Sequence, residues 1–435
     1  MSLKVAVIVL GCPKNTVEAE YLLGILKYNG YELTSDANKA DILVIHTCSF
    51  INDARAESEK CIRDALRLKN SKNVKIYVTG CLPQLLREEL LEKYPEIDGY
   101  TGTGALDKVP DLILNTARGN LLKAGGLNNS KHRILSSSLP YAYLKIAEGC
   151  NHNCSFCIIP GLRGKYKSRT VQSLIDEAKA LAGAGIQELV LVAQDTTTYG
   201  LDRYNSFSLD KLLSGLSKIS GLKWIRLLYA YPSSITESLL DVFREYKNIC
   251  RYMDIPIQHI NGKILARMGR PLNTGKIIEK IKNKIPEISL RTSIITGFPG
   301  ETEKDVKELI SFIKHGYFFY AGVFEYSDQK QALSSKLSGH IKAVDAKRRR
   351  IEIENAQYGI FQTRIAQLKN TETEFLAERC VRSGGKYTVY GRSEFQAPDI
   401  DGNMIVLSSN VVETGQFYNC VIKGSKGYNI KAVIK

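Results

Sequence analysis

A chain of 435 residues, 44% hydrophobic and 24% charged, has the make-up of an ordinary globular protein and the length of roughly three domains. No apolar run approaches the ~20 residues of a membrane span, and Val5 to Leu10 ahead of Gly11-Cys12 is too short for a secretory signal core. No membrane partner is expected, and a cytoplasmic location is. The net charge of +15 lies mostly in the middle, with +2 over residues 1–140, +12 over 141–369 and +1 over 370–435, a field that favours an RNA-rich or acidic partner on the central part.

Ten cysteines in a reducing compartment are metal ligands or buried thiols rather than disulfides. Six fall into two sets of three. Cys61, Cys250, Cys380 and Cys420 stand in amphipathic or strand-like contexts and read as small core residues.

Residues 1–115 alternate short apolar runs with helical patterns, which predicts a doubly wound domain with a parallel sheet. The runs Lys4 to Leu10, Asp41 to Thr47 and Val74 to Thr79 read as strands, and each leads into a cysteine: Cys12, Cys48 and Cys81. Parallel strands end along one edge of the sheet, where such folds hold ligands. Three thiols far apart in sequence are thereby gathered, and a cluster with three protein ligands is expected there, the alternative being three small residues buried at strand ends. Gly11 and Gly80 beside the thiols suit a close approach of backbone to a bulky cofactor.

Residues 116–140, with Gly125-Gly126 and Ser136-Ser137-Ser138, read as a linker. From 141 to 369 a strand-then-helix pattern occurs six times, with strands near 142–147, 187–193, 223–229, 251–255, 289–296 and 319–326. An open, partial (βα)6 barrel is expected, its chemistry on the loops after the strands. The first such loop holds Cys150, Cys154 and Cys157. Thiolates are the soft ligands that iron–sulfur centres require, and three cysteines on a four-iron core leave one iron without a protein ligand. His152 within the loop keeps open a zinc site of three thiolates and an imidazole.

Gln194-Asp195, Pro256 to His259 and Gly297 to Glu301 follow later strands and face the same space, although each also reads as turn chemistry; His259 reads equally as a barrel-rim residue. Arg163, Lys165, Lys167 and Arg169 read either as a steering patch or as a solvated loop. Lys347 to Arg350 reads as an exposed face of a helix over 343–368. Over 370–435, five short alternating runs predict a small β-barrel of the oligonucleotide-binding type, whose near-neutral charge makes a weak case for gripping phosphates.

The C-x3-C-x2-C loop, with Phe156 before its last cysteine, resembles that of the radical S-adenosylmethionine enzymes. With the N-terminal cysteine set and the terminal barrel, the whole chain resembles the methylthiotransferase family within them, whose members have an N-terminal cluster domain, a radical domain and a C-terminal TRAM domain. The resemblance implies two 4Fe-4S clusters, one on Cys12, Cys48 and Cys81 and one on Cys150, Cys154 and Cys157. It also implies S-adenosylmethionine on the open iron of the second, Phe156 beside its adenine, Gln194, Asp195 and Gln258 as further contacts, and no catalytic residue beyond the cluster ligands. Gly11-Cys12-Pro13-Lys14-Asn15, Gln194 to Thr197 and Ala397 to Gly402 resemble the branch that modifies an aspartate of small-subunit ribosomal protein 12 rather than the branch acting on adenosine in transfer RNA. That branch implies ribosomal protein 12 as partner, together with an electron donor. Tyr326 to Ala332 departs from the family's Glu-Gly-Thr segment.

Overall fold

The computed structural model describes residues 2–114, 120–122, 124–127, 132–383 and 385–435. Residues 1, 115–119, 123, 128–131 and 384, which include part of the expected linker, lie outside the described residues.

β-Branched and apolar residues dominate the N-terminal strands, and nothing but parallel pairs joins them. β1 (Lys4–Val9), β2 (Glu32–Leu33), β3 (Ile42–Thr47), β4 (Lys75–Gly80), β5 (Gly99–Thr101) and β6 (Asn120–Leu121) lie in the order β2-β1-β3-β4-β5-β6. The strands unforeseen from sequence, β2, β5 and β6, have three residues or fewer, too few to carry a period. Helix α1 (Pro13–Tyr28) begins on Cys12 with a proline in its first turn, where a missing N–H costs nothing. Helices α2 (Asn52–Ser71) and α3 (Cys81–Leu86) follow β3 and β4.

The central sheet runs β7 (Tyr141–Lys145), β10 (Glu188–Val192), β11 (Trp224–Leu227), β12 (Ile249–Asp254), β13 (Ser289–Thr296) and β14 (Phe318–Glu325) in neighbour order, all parallel and not closed. It is the open six-stranded barrel expected. Between β7 and β10, the short antiparallel pair β8 (Ala147–Glu148) and β9 (Lys167–Ser168) ties the entry of the cysteine loop to its exit. Helix starts are capped where the sequence offers donors' partners: the Thr170 side chain accepts from Ser173 N–H, and Thr302 forms a capping box with Asp305.

β15 (Glu372–Ser383), β16 (Lys386–Arg392), β17 (Met404–Ser408), β18 (Phe417–Lys426) and β19 (Asn429–Ile434) close into a barrel. Its segment 393–402 fills the end of the central barrel opposite the cysteine loop. There Arg226 and Arg392 grip the fully buried Glu188 at 2.6 and 2.5 Å, Tyr143 donates to Asp399 at 2.7 Å, and Tyr252 to Asp401 at 2.8 Å. From the other side α1 inserts Val17 and Tyr21 among Tyr141, Tyr143, Val190, Val192 and Tyr252. The N-terminal domain thus closes the mouth of the central barrel, and the terminal barrel closes its base.

Among the described residues no helix is long and apolar enough to cross a membrane.

Candidate functional site

Cys12, Cys48 and Cys81 lie near one another in the N-terminal domain, and Cys150, Cys154 and Cys157 in the central one. Cys12 caps α1, Cys48 follows β3 and Cys81 opens α3. Gly11, at φ +97°, lies so close to Cys48 that a Cβ on it would stand 2.5 Å from the Cys48 Cβ and 2.9 Å from its Sγ. Gly80 at φ +96° likewise abuts the Thr47 carbonyl, at 2.7 Å from such a Cβ. The neighbouring chain, not a cofactor, claims the space at these glycines, and that is how strand ends come close enough to cluster their thiols. In the second set Gly149, at φ +81°, packs on the Gly164 and Lys165 carbonyls, and Gly269, at φ +66°, on the Asn153 carbonyl. Cys150 N–H donates to Gly164 O and Ser155 N–H to Met268 O, so the loop is held at both ends.

Burial and the neighbouring thiols together set the protonation of each trio. Burial pushes Cys81 up to about 12, with Cys48 and Cys12 adding to it, and raises Cys48 as well. Burial lifts Cys157 to about 12 and Cys150 to about 11, each also feeling the neighbouring thiols. For Cys12 burial works upward too, but Lys14, Arg163 and two backbone N–H groups outweigh it and leave the thiol below its ordinary value. Thiols buried this way ionise readily only beside a positive centre, which iron supplies.

His152 is engaged away from the cysteines. Its Nε2 lies 2.6 Å from Asp195 Oδ2 and its ring stacks on Tyr231 at 3.6 Å. Ligands of a cubane stand farther apart than those of an ion, because a four-iron core lies between them. Three soft thiol donors per set suit such a cluster.

The expected cofactor contacts sit around the second set. Phe156 packs beside Ile264, Met268 and Phe298. Gln194 donates from Nε2 to Glu148 at 2.8 Å and leaves its buried Oε1 without a partner, an orphan acceptor that suits a ligand's donor. Gln258 adopts φ +67°, a costly conformation outside glycine, and is held by Ser293 O and Ile295 N–H while its side chain makes no hydrogen bond among the described residues. Asp195 is already engaged with His152, Thr197 and Thr198, so its carboxylate orients the loop. His259 is fully buried, its Nδ1 accepting from the Ile260 and Asn261 N–H groups, the rim residue of the two readings.

Other groups at the site gave no sequence signal. Tyr229, at φ +60°, ends β11 two residues sooner than expected. Tyr231 carries the Arg270 guanidinium 4.1 Å over its ring, and Arg270 reaches the Cys154 Sγ at 3.8 Å. The segment Tyr326 to Ala332 straps the two cysteine sets together: Gln329 donates to Asn52 at 2.9 Å, and Ala332 packs with Cys81, Ile158 and Leu162.

The basic loop corrects one expectation. Lys165 and Lys167 are exposed, but Arg163 and Arg169 are buried and structural. Arg163 donates to Glu18 at 2.6 Å, Glu148 at 3.1 Å, Asn15 at 2.8 Å and the Cys81 Sγ at 3.3 Å. Lys145 pairs with the same two glutamates, and His46 Nε2 lies 3.1 Å from Glu18. Burial alone would raise the Glu18 carboxyl, but Arg163 and Lys145 hold it well below the carboxylate range. This closed network joins the sequence just before one cysteine loop to the helix that starts at the other. Within Lys347 to Arg350, Arg349 is also buried, on Glu301 and Glu303, so that run is not wholly a solvent face.

Comparison with known proteins agrees with the three-part build. The family model described as Uncharacterized protein family UPF0004 matches residues 4–102, the Radical SAM superfamily model 144–313 and the TRAM domain model 371–434. The Ribosomal protein uS12 methylthiotransferase RimO of Endomicrobium trichonymphae is 61% identical over 431 residues, covering 99% of this chain and 98% of that protein. The protein of the same name from Thermoanaerobacter sp. (strain X514) is 42% identical over 437 residues, with 98% of each covered. Among solved structures, the radical S-adenosylmethionine methyltransferase TsrM from Kitasatospora setae, with cobalamin and a [4Fe-4S] cluster bound, shares the fold, with a TM-score of 0.58, 14% identity, and 89% of this chain and 81% of that one covered. Two gathered thiol trios, an open parallel barrel and full-length identity of this degree lead to one conclusion: the chain belongs to the RimO family of radical S-adenosylmethionine methylthiotransferases.

Proposed function

We propose that this enzyme adds a methylthio group to the β-carbon of an aspartate in ribosomal protein uS12, acting in the cytoplasm with a reducing electron donor. The observation that carries the reading is the pair of thiol trios, joined by the Arg163 network, at the mouth of one open barrel.

Cys150, Cys154 and Cys157 would hold one 4Fe-4S cluster, with S-adenosylmethionine on its open iron near Phe156, Gln194 and Gln258; Asp195 would act by orienting His152 and its loop. Cys12, Cys48 and Cys81 would hold the other. When bound, these groups supply the radical that removes hydrogen from an unactivated carbon, together with the sulfur and methyl to be transferred. The chain's own part is placement. The Arg163 network ties the helix that starts at Cys12 to the loop that carries Cys150, Cys154 and Cys157. The near-neutral terminal barrel, plugged into the base of the central barrel, supports a protein target over one gripped by its phosphates. The basic central domain would meet the ribosomal RNA around that target.

The test is anaerobic incubation of cluster-loaded enzyme with S-adenosylmethionine, a reductant and either purified uS12 or bulk transfer RNA, read by mass spectrometry. A methylthio group gained by uS12 alone is the expected result; transfer to RNA alone would overturn the reading.

A further inference from the structure

We propose that the lysine-bearing segment 330–342, at the mouth of the central barrel, binds phosphates of ribosomal RNA, so that the enzyme takes uS12 within the small ribosomal subunit and not as the free protein. The inference rests on the proposed reaction at uS12.

The segment runs where such a contact is needed. β14 and β7 are the two edges of the open central sheet, and the chain leaving β14 passes from one edge to the other. Gln329 reaches Asn52 of the N-terminal domain at 2.9 Å. Ser334 N–H donates at 2.8 Å to Ser155 O, in the cysteine loop that follows β7. The Ser338 and Gly339 carbonyls accept from the Arg267 side chain and from Gly300 N–H, both at 2.8 Å. Along this anchored path Lys330, Lys336 and Lys342 are all exposed.

Their charge is not balanced locally. Residues 329–344 contain no Asp or Glu, and none of the three lysines is in an ion pair among the described residues. The acids at the two ends are engaged, Asp328 by the Tyr326 hydroxyl at 3.2 Å and Asp345 by Arg348 at 3.8 Å. The basic run that follows is the contrast: Arg348 pairs with Glu303 and Glu352, Arg349 with Glu301 and Glu303, and Arg350 with Glu325 and Glu354. A row of exposed lysines with no acid among them suits a polyanion, whose condensed counterions are released on contact. Protein interfaces are poor in lysine, which argues against this strap as a seat for uS12 itself. The target of the proposed reaction is a ribosomal protein, so the polyanion brought to the mouth with it is the RNA that surrounds it.

The experiment measures the affinity of the full-length enzyme for small ribosomal subunits and for free uS12 across a salt series, in wild type and in the triple variant Lys330→Gln, Lys336→Gln, Lys342→Gln. Wild type is expected to bind subunits the more tightly at low salt. Three phosphate contacts make affinity fall by about 20- to 40-fold between roughly 50 and 200 mM salt; the triple variant should lose that share of the salt dependence on subunits while matching wild type on free uS12. A control that changes Lys179, Lys211 and Lys218 to Gln, three exposed lysines elsewhere on the central domain, should keep the wild-type salt dependence. Equal affinity of wild type for the two forms at low salt overturns the inference, and so do equal salt dependences in wild type and the strap variant. An equal loss in the control overturns it by making general charge the cause, and a weakened grip of the strap variant on free uS12 overturns it by making the strap a protein contact. Wild type that binds subunits through the strap yet adds no methylthio group to uS12 in either form would instead overturn the proposed reaction.

Discussion

Arg163→Met tests whether the buried network fastens the N-terminal domain over the barrel. Arg163 is 2% exposed and meets Glu18, Glu148, Asn15 and Cys81 at once. Without it, two buried carboxylates share Lys145, with His46 as the remaining neighbour of Glu18. Removing one partner from a buried ion pair costs about 3–5 kcal/mol because a charge is left uncompensated, a large part of the ~5–15 kcal/mol that holds a typical domain together. The loss falls on the seam between α1 and β7, so opening of α1 should become more frequent by roughly 10²- to 10³·⁵-fold. Hydrogen exchange followed by mass spectrometry reads this directly in the peptide covering 13–28, with the Ala343–Leu368 helix as an internal control. Exchange in α1 that rises less than about threefold, in a variant that is otherwise folded, would refute the role given to the network.

Three further outcomes follow from the same contacts. Gly11→Ala would place a Cβ 2.5 Å from Cys48 at a φ of +97°, so the purified variant should lose about half its iron, all from the N-terminal set; full iron content would contradict the close approach. Glu177 is held below its ordinary 4.5 because Arg169 and Arg133 outweigh burial. Its contribution to docking α1 is therefore complete above that value and is lost as pH falls through the lower folded value; a melting series should show an acid loss in wild type that is reduced in Glu177→Gln, and equal slopes would contradict this. Glu188→Ala leaves Arg226 without its carboxylate and Arg392 with Glu378 alone, and limited proteolysis should then release the terminal barrel at a protease dose that leaves wild type intact.

Period and spacing made the layers legible. Alternating apolar runs located the long parallel strands, and the rule that parallel strands end along one edge brought Cys12, Cys48 and Cys81 together from three separate places. What stayed hidden was how the domains meet. Arg163 looks like part of a basic loop because nothing local marks its partners; Glu18 lies 145 residues away in sequence. Ala397 to Gly402 was visible as a motif, but its seat in the barrel base depends on Tyr143, Tyr252 and Arg291 from three different strands. Tyr229 escaped for the same reason, since a strained φ exists only once the fold is closed.

The most direct measurement is the iron content and Mössbauer spectrum of two triple variants, Cys12, Cys48 and Cys81 to alanine and Cys150, Cys154 and Cys157 to alanine, beside wild type. Two independent four-iron clusters predict about eight irons in wild type and about four in each variant, with cleavage of S-adenosylmethionine surviving only in the first. Loss of all iron from either variant, or cleavage in the second, would contradict the account.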